Sequence, residues 1–338
     1  VLQRDKRHAG ANHYYIHAME ATQPEKAESA ADRLLHLAPG AGHLVHMPAH
    51  IFVRVGRYAD AAAANEKAIL ADEDYITQCR AQGIYPLGYY PHNIHFLWLA
   101  RTMEGNSGEA IRAARKAAAQ IKPEDVKNLP ILQTFLVTPY FALVRFGKWD
   151  EILSEPQPSA GLFSEGMWRY ARAMALIRKQ RFAEAEKELE TLTRLSTDKN
   201  LIETPATFSS NTPEGVFRIV PPLVAGELAA ARGDYDKAIA LLEKAVRLED
   251  ALNYAEPPDW HAPVRHALGA VLLDAKRPVE AEVVFWDDLK KNPENGWALF
   301  GLATAMKAQG KTEEAAAIEK RFEKAWSRAD VRLTTSRY

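Results

Sequence analysis

The chain has 338 residues, 47% apolar and 26% charged, with a formal net charge of −1. These are ordinary globular values, so a chain disordered throughout is excluded, and near-neutrality argues against a nucleic-acid binder held by bulk electrostatics. Cys79 is the only cysteine, which excludes an internal disulfide framework or a thiolate-built zinc site, and no apolar run reaches the roughly 18–20 residues that span a bilayer. Alanine, at about one residue in six, is the best helix former, so composition points to an all-α chain. No secretory signal is visible, but the chain opens on Val1 rather than Met, consistent with a processed or trimmed product. Both a cytoplasmic and a periplasmic setting therefore fit. One number is out of place: nine of the 11 histidines (His8, His13, His17, His36, His43, His46, His50, His92 and His95) lie in the first 95 residues.

Along the chain a helix–turn–helix unit recurs. Ala27, Leu34 and Pro39 mark the first, and Gly56, Tyr58, Ala61 and Ala68 mark the second, offset from it by 34 residues. Gly105, Ala110 and Ala117 mark the third, Gly147 and Trp149 a weak fourth, and Phe182, Ala185 and Leu189 the fifth. The sixth is the clearest, running from Gly226 through Gly233, Tyr235 and Ala238 to Leu242 and Ala245. Gly269, Ala281, Phe285 and Pro293 mark the seventh, and Gly310, Ala315 and Phe322 the eighth. Small residues at fixed positions let the two helices of a unit approach, and bulky residues fill the gaps between units. This register resembles that of the tetratricopeptide (TPR) repeat over most of the chain. The resemblance implies an all-α, TPR-like α-solenoid, a right-handed superhelix of about eight helix pairs. Insertions are expected near 70–91, 122–133, 197–218 and 250–262. Asn211-Thr212-Pro213 reads as a loop rather than a linker, so residues 1–338 form one solenoid, with a His-rich part over 8–121 and later repeats over 134–328. The polar outer face of the helix from Thr312 to Arg328 suits a capping element.

In a TPR the first helix of each pair lines the concave groove, through its positions 2, 5, 9, 12 and 13. In the second repeat positions 2, 5 and 9 are His43, His46 and His50, and in the third positions 2 and 5 are His92 and His95. His13 and His17 fall one residue off the ideal in the first repeat, with Glu20 at position 13. His13, His17 and Glu20 share a face of about 60° of arc, and so do His43, His46 and His50. Three neighbouring helices are thus expected to turn seven imidazoles and a carboxylate toward one cavity. His8 and His36 fall outside it, at a repeat start and at the end of a second helix. A single histidine on an apolar helix face is usually a satisfied core residue. Seven together leave donors and acceptors unpaired, at about 1–3 kcal/mol each, unless a metal, anion or polar network meets them. Converging imidazoles with a carboxylate suit Zn, Cu or Fe, which sequence does not rank. Pro48 is expected in a first helical turn, with His43 and His46 on its lead-in, and Pro91 likewise precedes His92 and His95.

Other residues are candidates for the ligand groove. Arg54 occupies position 13 of the second repeat, suited to a carboxylate or phosphate or else to a salt bridge. Tyr89 belongs to a crowd of tyrosines near the histidines, and aromatic packing is its equal alternative. Glu227 falls at groove position 9 of the sixth repeat and His266 at position 5 of the seventh. Glu256 and Trp260 lie in an inter-repeat insertion, Tyr254 to His261, placed either to fold over the groove or to form a rigid Pro-Pro turn on a packed Trp. No GxSxG elbow, P-loop, GxGxxG in strand–helix context or HExxH is present, and nothing marks Cys79 as a nucleophile.

A narrower resemblance exists. His13-Tyr14-Tyr15-Ile16-His17-Ala18 and His46-Met47-Pro48-Ala49-His50-Ile51-Phe52 resemble the HYxIHA and HMPxHIF segments of a group of bacterial TPR proteins with no settled activity. The group's upstream HPG reads His8-Ala9-Gly10 here, and Glu256-Pro257-Pro258-Asp259-Trp260 also matches. The resemblance implies fold and choice of residues, and a longer N-terminus, but no reaction. The leading expectation is a groove that binds a transition metal through His13, His17, Glu20, His43, His46, His50, His92 and His95. Alternatives are a non-enzymatic scaffold that binds a peptide or partner protein, and an enzyme using histidines as acid and base on a small ligand. Nucleic acid is not an expected partner.

Overall fold

The computed structural model describes residues 1–202 and 211–338. Among these the secondary structure is all helical, and the long helices pair in sequence. Eight pairs can be followed. They are α1 (Ala9–Met19) with α2 (Glu28–Leu34), and α3 (Gly42–His46) plus α4 (Pro48–Arg54) with α5 (Tyr58–Cys79). The third is α6 (Tyr90–Met103) with α7 (Ser107–Ala119). After the short α8 (Pro123–Asn128) comes α9 (Gln133–Arg145) with α10 (Trp149–Ser154). Next is α11 (Leu162–Arg178) with α12 (Phe182–Leu195). After the short helices α13 (Lys199–Ile202) and α14 (Pro213–Phe217) comes α15 (Val220–Ala231) with α16 (Tyr235–Asp250). The last two are α17 (Val264–Asp274) with α18 (Pro278–Lys291), and α19 (Gly296–Ala308) with α20 (Thr312–Ala325). The chain is an α-solenoid. Of the insertion expected at 197–218, residues 203–210 lie outside the described residues.

The repeat residues behave as their sizes dictate. Ala61, Ala64 and Ala68 of α5 and Ala110, Ala114 and Ala117 of α7 are fully buried where neighbouring helices meet. Phe285 is wedged between Gly269 and Gly301, where an added Cβ would sit 2.4 and 2.2 Å from its ring. Only glycine allows two helices to close on one aromatic ring in this way.

The superhelix closes on itself. The Trp297 indole donates to the Thr102 carbonyl at 3.0 Å, and Asp330 accepts from the Ser107 and Gly108 amides at 2.7 and 2.9 Å, capping α7. Gly56, at φ +80°, lies so near Pro293 that a Cβ would stand 2.6 Å from its carbonyl oxygen. The first turns of the solenoid and its last are therefore in direct contact, and the concave face is interior.

That interior is filled by the chain itself. The tail brings Arg337 to Glu227 (2.9 Å) and Asp274 (2.7 Å), and the Ser336 hydroxyl to the His266 carbonyl (2.9 Å). Glu227, expected to face a ligand, instead lies buried with its Oε2 shared by Arg178 at 2.7 Å and Arg337. His266, expected likewise, is buried with Nε2 on Asp288 Oδ2 and Nδ1 on Arg145, both at 2.8 Å. Its Nδ1 must accept from the guanidinium, so Nε2 carries the proton toward Asp288. Trp260 is also buried, 5.3 Å from the Tyr170 ring and 6.0 Å from Phe141, so the turn packs on its Trp while the same loop lies over the groove. Glu227 and His266 are thus engaged by the chain's own charged groups, whereas Trp260 also lines a cavity of about 350 Å³ with Arg54, Tyr254 and Glu256.

Two stability measurements test this closure. Gly56→Ala combines left-handed strain with a backbone clash and should cost about 2 kcal/mol, read from the urea midpoint by circular dichroism. Asp288→Ala leaves Arg145 buried without its nearby carboxylate and the His266 Nε2–H without an acceptor, and should cost about 3–5 kcal/mol.

Candidate metal centre

The N-terminal helices carry the histidines to one place. Pro48 opens α4 as expected, but the turn before it is already helical, so His43 and His46 project from α3 as regularly as His50 does from α4. Pro91 sits in the first turn of α6, one residue before His92. A single π-helical turn, Tyr85–Tyr89, leads into α6. It is tied down by Asp72, which accepts from the Tyr85 hydroxyl and from Asn93 Nδ2, both at 2.7 Å.

Three groups of potential ligand atoms converge within 4.8 Å: His46, His50 and His92; Glu20, His50 and Glu256; and His13, His17 and His43. His46 Nδ1 lies 2.7 Å from Asn65 Oδ1, and Asn65 is oriented by its Nδ2, which donates to the Ala61 carbonyl at 2.8 Å. The amide oxygen therefore faces the ring, Nδ1 carries the proton, and the Nε2 lone pair points inward. It points at His50, whose Nε2 is 3.0 Å away. The His92 ring stands 4.9 Å from that of His46, and Phe96 packs against all three rings at 4.6–5.0 Å as an apolar floor.

Two carboxylates stand behind His50. Its Nδ1 is 2.8 Å from Glu256 Oε2 and 3.0 Å from Glu20 Oε2, in neither case with hydrogen-bond geometry. These atoms, with Glu256 Oε1 and His43 Nδ1, are buried and without a hydrogen-bond partner. Burial pushes the His50 imidazole down, but Glu20 and Glu256 outweigh it and hold it up at about 9. Burial pushes Glu20 up, but His17 and His50 outweigh that and bring it to about 2. Burial and neighbouring imidazoles drive His46 and His92 well below the ordinary histidine range, and bring His43 to about 4. At neutral pH the site thus holds the His50 imidazolium, whose Nε2–H meets the His46 lone pair, beside the neutral imidazoles His43 and His92.

A cavity of about 370 Å³ adjoins the group, lined by Glu20, His50, Tyr89, His92, His95, Phe135 and Glu256 among others. Glu256 was expected only in the groove, and the loop between α16 and α17 delivers it to His50. Arg54 ties that loop to its neighbours: it lies 3.9 Å from Glu256 and 5.5 Å from the Tyr254 ring centre, while its Nε donates to the Glu20 carbonyl at 3.2 Å and its Nη1 to the Lys291 carbonyl at 3.3 Å. Tyr89 is exposed at the cavity rim, 5.2 Å from the His43 ring. His95 lines the cavity but joins no ligand group. It stacks on Trp98 at 4.9 Å and meets Phe135 edge-on, and burial alone holds it at about 3. Asn65 was missed from sequence, although a polar residue within the buried alanine stripe Ala61, Ala64 and Ala68 is a readable signal.

No protein-family model matches the chain, and no curated protein matches it. A solved structure of Naa15/Naa10 bound to HypK-THB contains a chain 19% identical to this one over 95% of its length, with a TM-score of 0.29. The present chain spans 42% of that one. At such a score the likeness carries over neither site nor partner.

The metal-free site should shape the pH dependence of stability. His43 and His95 titrate lower folded than the 6.5 of a free imidazole, so their contribution is present above 6.5 and lost as pH falls toward 4 and 3. His50 titrates higher, so its contribution is present below 6.5 and lost as pH rises toward 9. From these groups urea midpoints in chelator should be highest near pH 6.5 and fall on both sides, and His50→Gln should flatten the alkaline limb while also relaxing the depression of Glu20 on the acid side.

Proposed function

We propose that the protein binds a divalent transition metal ion through His46, His50 and His92, with Glu20 and Glu256 as the carboxylates behind His50. The observation that carries this reading is the locked tautomer of His46. Asn65 fixes the proton on Nδ1, which leaves the Nε2 lone pair aimed into a buried space shared with His50 and His92. Ligating imidazoles commonly have their second nitrogen held in this way, which fixes ring orientation and raises basicity. The buried oxygens Glu20 Oε2 and Glu256 Oε1 and Oε2 support it: they lack aligned hydrogen bonds and two carboxylates face the single imidazolium of His50, an excess of negative charge that favours a further cation. Imidazole with carboxylate suits Zn, Cu or Fe, and the absence of nearby thiols argues for no softer ion. The segments that resemble the bacterial TPR group supply His13, His17, His46, His50 and Glu256 to this region. An ion with an open position toward the cavity would polarise an oxygen donor bound there. A scaffold role has less support, since a peptide in the concave face of the later repeats would have to displace Arg337 and Ser336. No described helix is long and apolar enough to cross a membrane.

Metal analysis of the untagged chain after incubation with Zn, Cu and Fe salts should show bound ion, and a content below about 0.2 per chain would sink the reading. Asn65→Ala should weaken binding about 10–100-fold with unchanged helix content. An ion at His50 Nε2 must displace a proton, so calorimetry in buffers of different ionisation enthalpy should report release of about one proton per ion at neutral pH.

A further inference from the structure

The inner centre leaves three histidines unused, and they form a group of their own. His13 and His17 lie one turn apart on α1 with ring centres 4.8 Å apart. His43 reaches them from α3, its Nε2 3.2 Å from that of His13. One ligand nitrogen from each lies within 4.8 Å of the others. His43 Nδ1 is buried without a partner, whereas His17 is exposed, so the group opens on solvent at one side. Packing alone does not account for it. Apolar rings would fill the same space without placing polar nitrogens against one another, each able to supply at most one proton to two or three acceptors.

Glu20 connects the two groups. Its Oε1 is 3.3 Å from His17 Nδ1 and its Oε2 is 3.0 Å from His50 Nδ1. One carboxylate, at the C-cap of α1, thereby faces both sets of imidazoles with a different oxygen. We propose that His13, His17 and His43 hold a second divalent transition ion, nearer the surface, and that Glu20 is shared between this outer site and the inner centre. The proposal rests on the metal-binding reading of the inner group. The outer ion is the weaker, because its three imidazoles have only a share in one carboxylate, whereas the inner centre has both Glu20 and Glu256 beside it. An ion arriving from solvent meets the exposed His17 first and the buried His46 last.

Equilibrium dialysis of the chelator-stripped, untagged full-length chain against Zn(II) and Co(II) tests this, with bound ion counted by plasma mass spectrometry and Co(II) followed by its visible absorption. The wild type should bind about two ions per chain in two phases. The pair His13→Ala and His17→Ala, both on solvent-accessible or half-buried positions, should lose the weak phase and keep the tight one. The pair His50→Ala and His92→Ala should do the reverse. Glu20→Gln should weaken both phases by about tenfold or more. Circular dichroism confirms that each variant keeps its helices. A wild type that binds one ion, lost with His50 and His92 but indifferent to His13 and His17, overturns the outer site and leaves the inner centre standing. One ion lost only with His13 and His17 overturns the inner centre and the pairing together. No bound ion at all overturns both.

Discussion

The contact between the last repeats and the second and third sets everything else in this molecule. Trp297 on the Thr102 carbonyl, Asp330 at the head of α7 and the backbone of Pro293 against Gly56 turn an open superhelix into a closed one. Closure changes the dielectric setting of the concave face. Groups that an open solenoid would present to water are withdrawn from it, so every charge there must find a partner inside the chain. Glu227 finds Arg178 and Arg337, and His266 finds Asp288 and Arg145. The loop after α16 is held across the interior, and Glu256 meets His50 only because of it.

The histidine cluster concentrates unsatisfied polar atoms: Glu20 Oε2, both Glu256 oxygens, His43 Nδ1 and His50 Nδ1 are buried together without aligned hydrogen bonds. Elsewhere such atoms are fewer and scattered, as with Glu227 Oε1 and Arg178 Nε. Around His50 two carboxylates crowd one imidazole without aligned hydrogen bonds, and neutral imidazoles face one another. Low local dielectric makes such an arrangement costly when empty and strongly attractive to a cation, the same energy seen from two sides. The opposed shifts of His50 and Glu20 express that field: each is held charged by the other against the penalty of burial.

Much was legible without coordinates. The eight helix pairs follow from glycine, alanine and aromatic residues at fixed offsets, since helix approach depends on side-chain size alone. The clustering of His13, His17, His43, His46, His50 and His92 follows from the same register, because groove positions on successive first helices are neighbours. The register also turns His95 toward the groove, where it lines the same cavity as His50 and His92, but its ring packs on Trp98 and Phe135, outside the three ligand groups. For the Trp260 loop both readings hold together: the Trp packs among aromatics, and the loop lies over the groove with Glu256 on His50.

Sequence by itself determined the helical solenoid, its repeat boundaries and which helix faces carry imidazoles, because these depend on interactions within about 34 residues. Tertiary structure alone decided which polar groups those imidazoles meet. Asn65 fixes the tautomer of His46 from the second helix of the same pair, whereas Glu256 reaches His50 from a loop beyond four intervening helix pairs. That second meeting depends on the accumulated curvature of every intervening helix pair. A superhelix sums small rotations over its length, so the partner of His50 is a property of the whole ring and of no local segment.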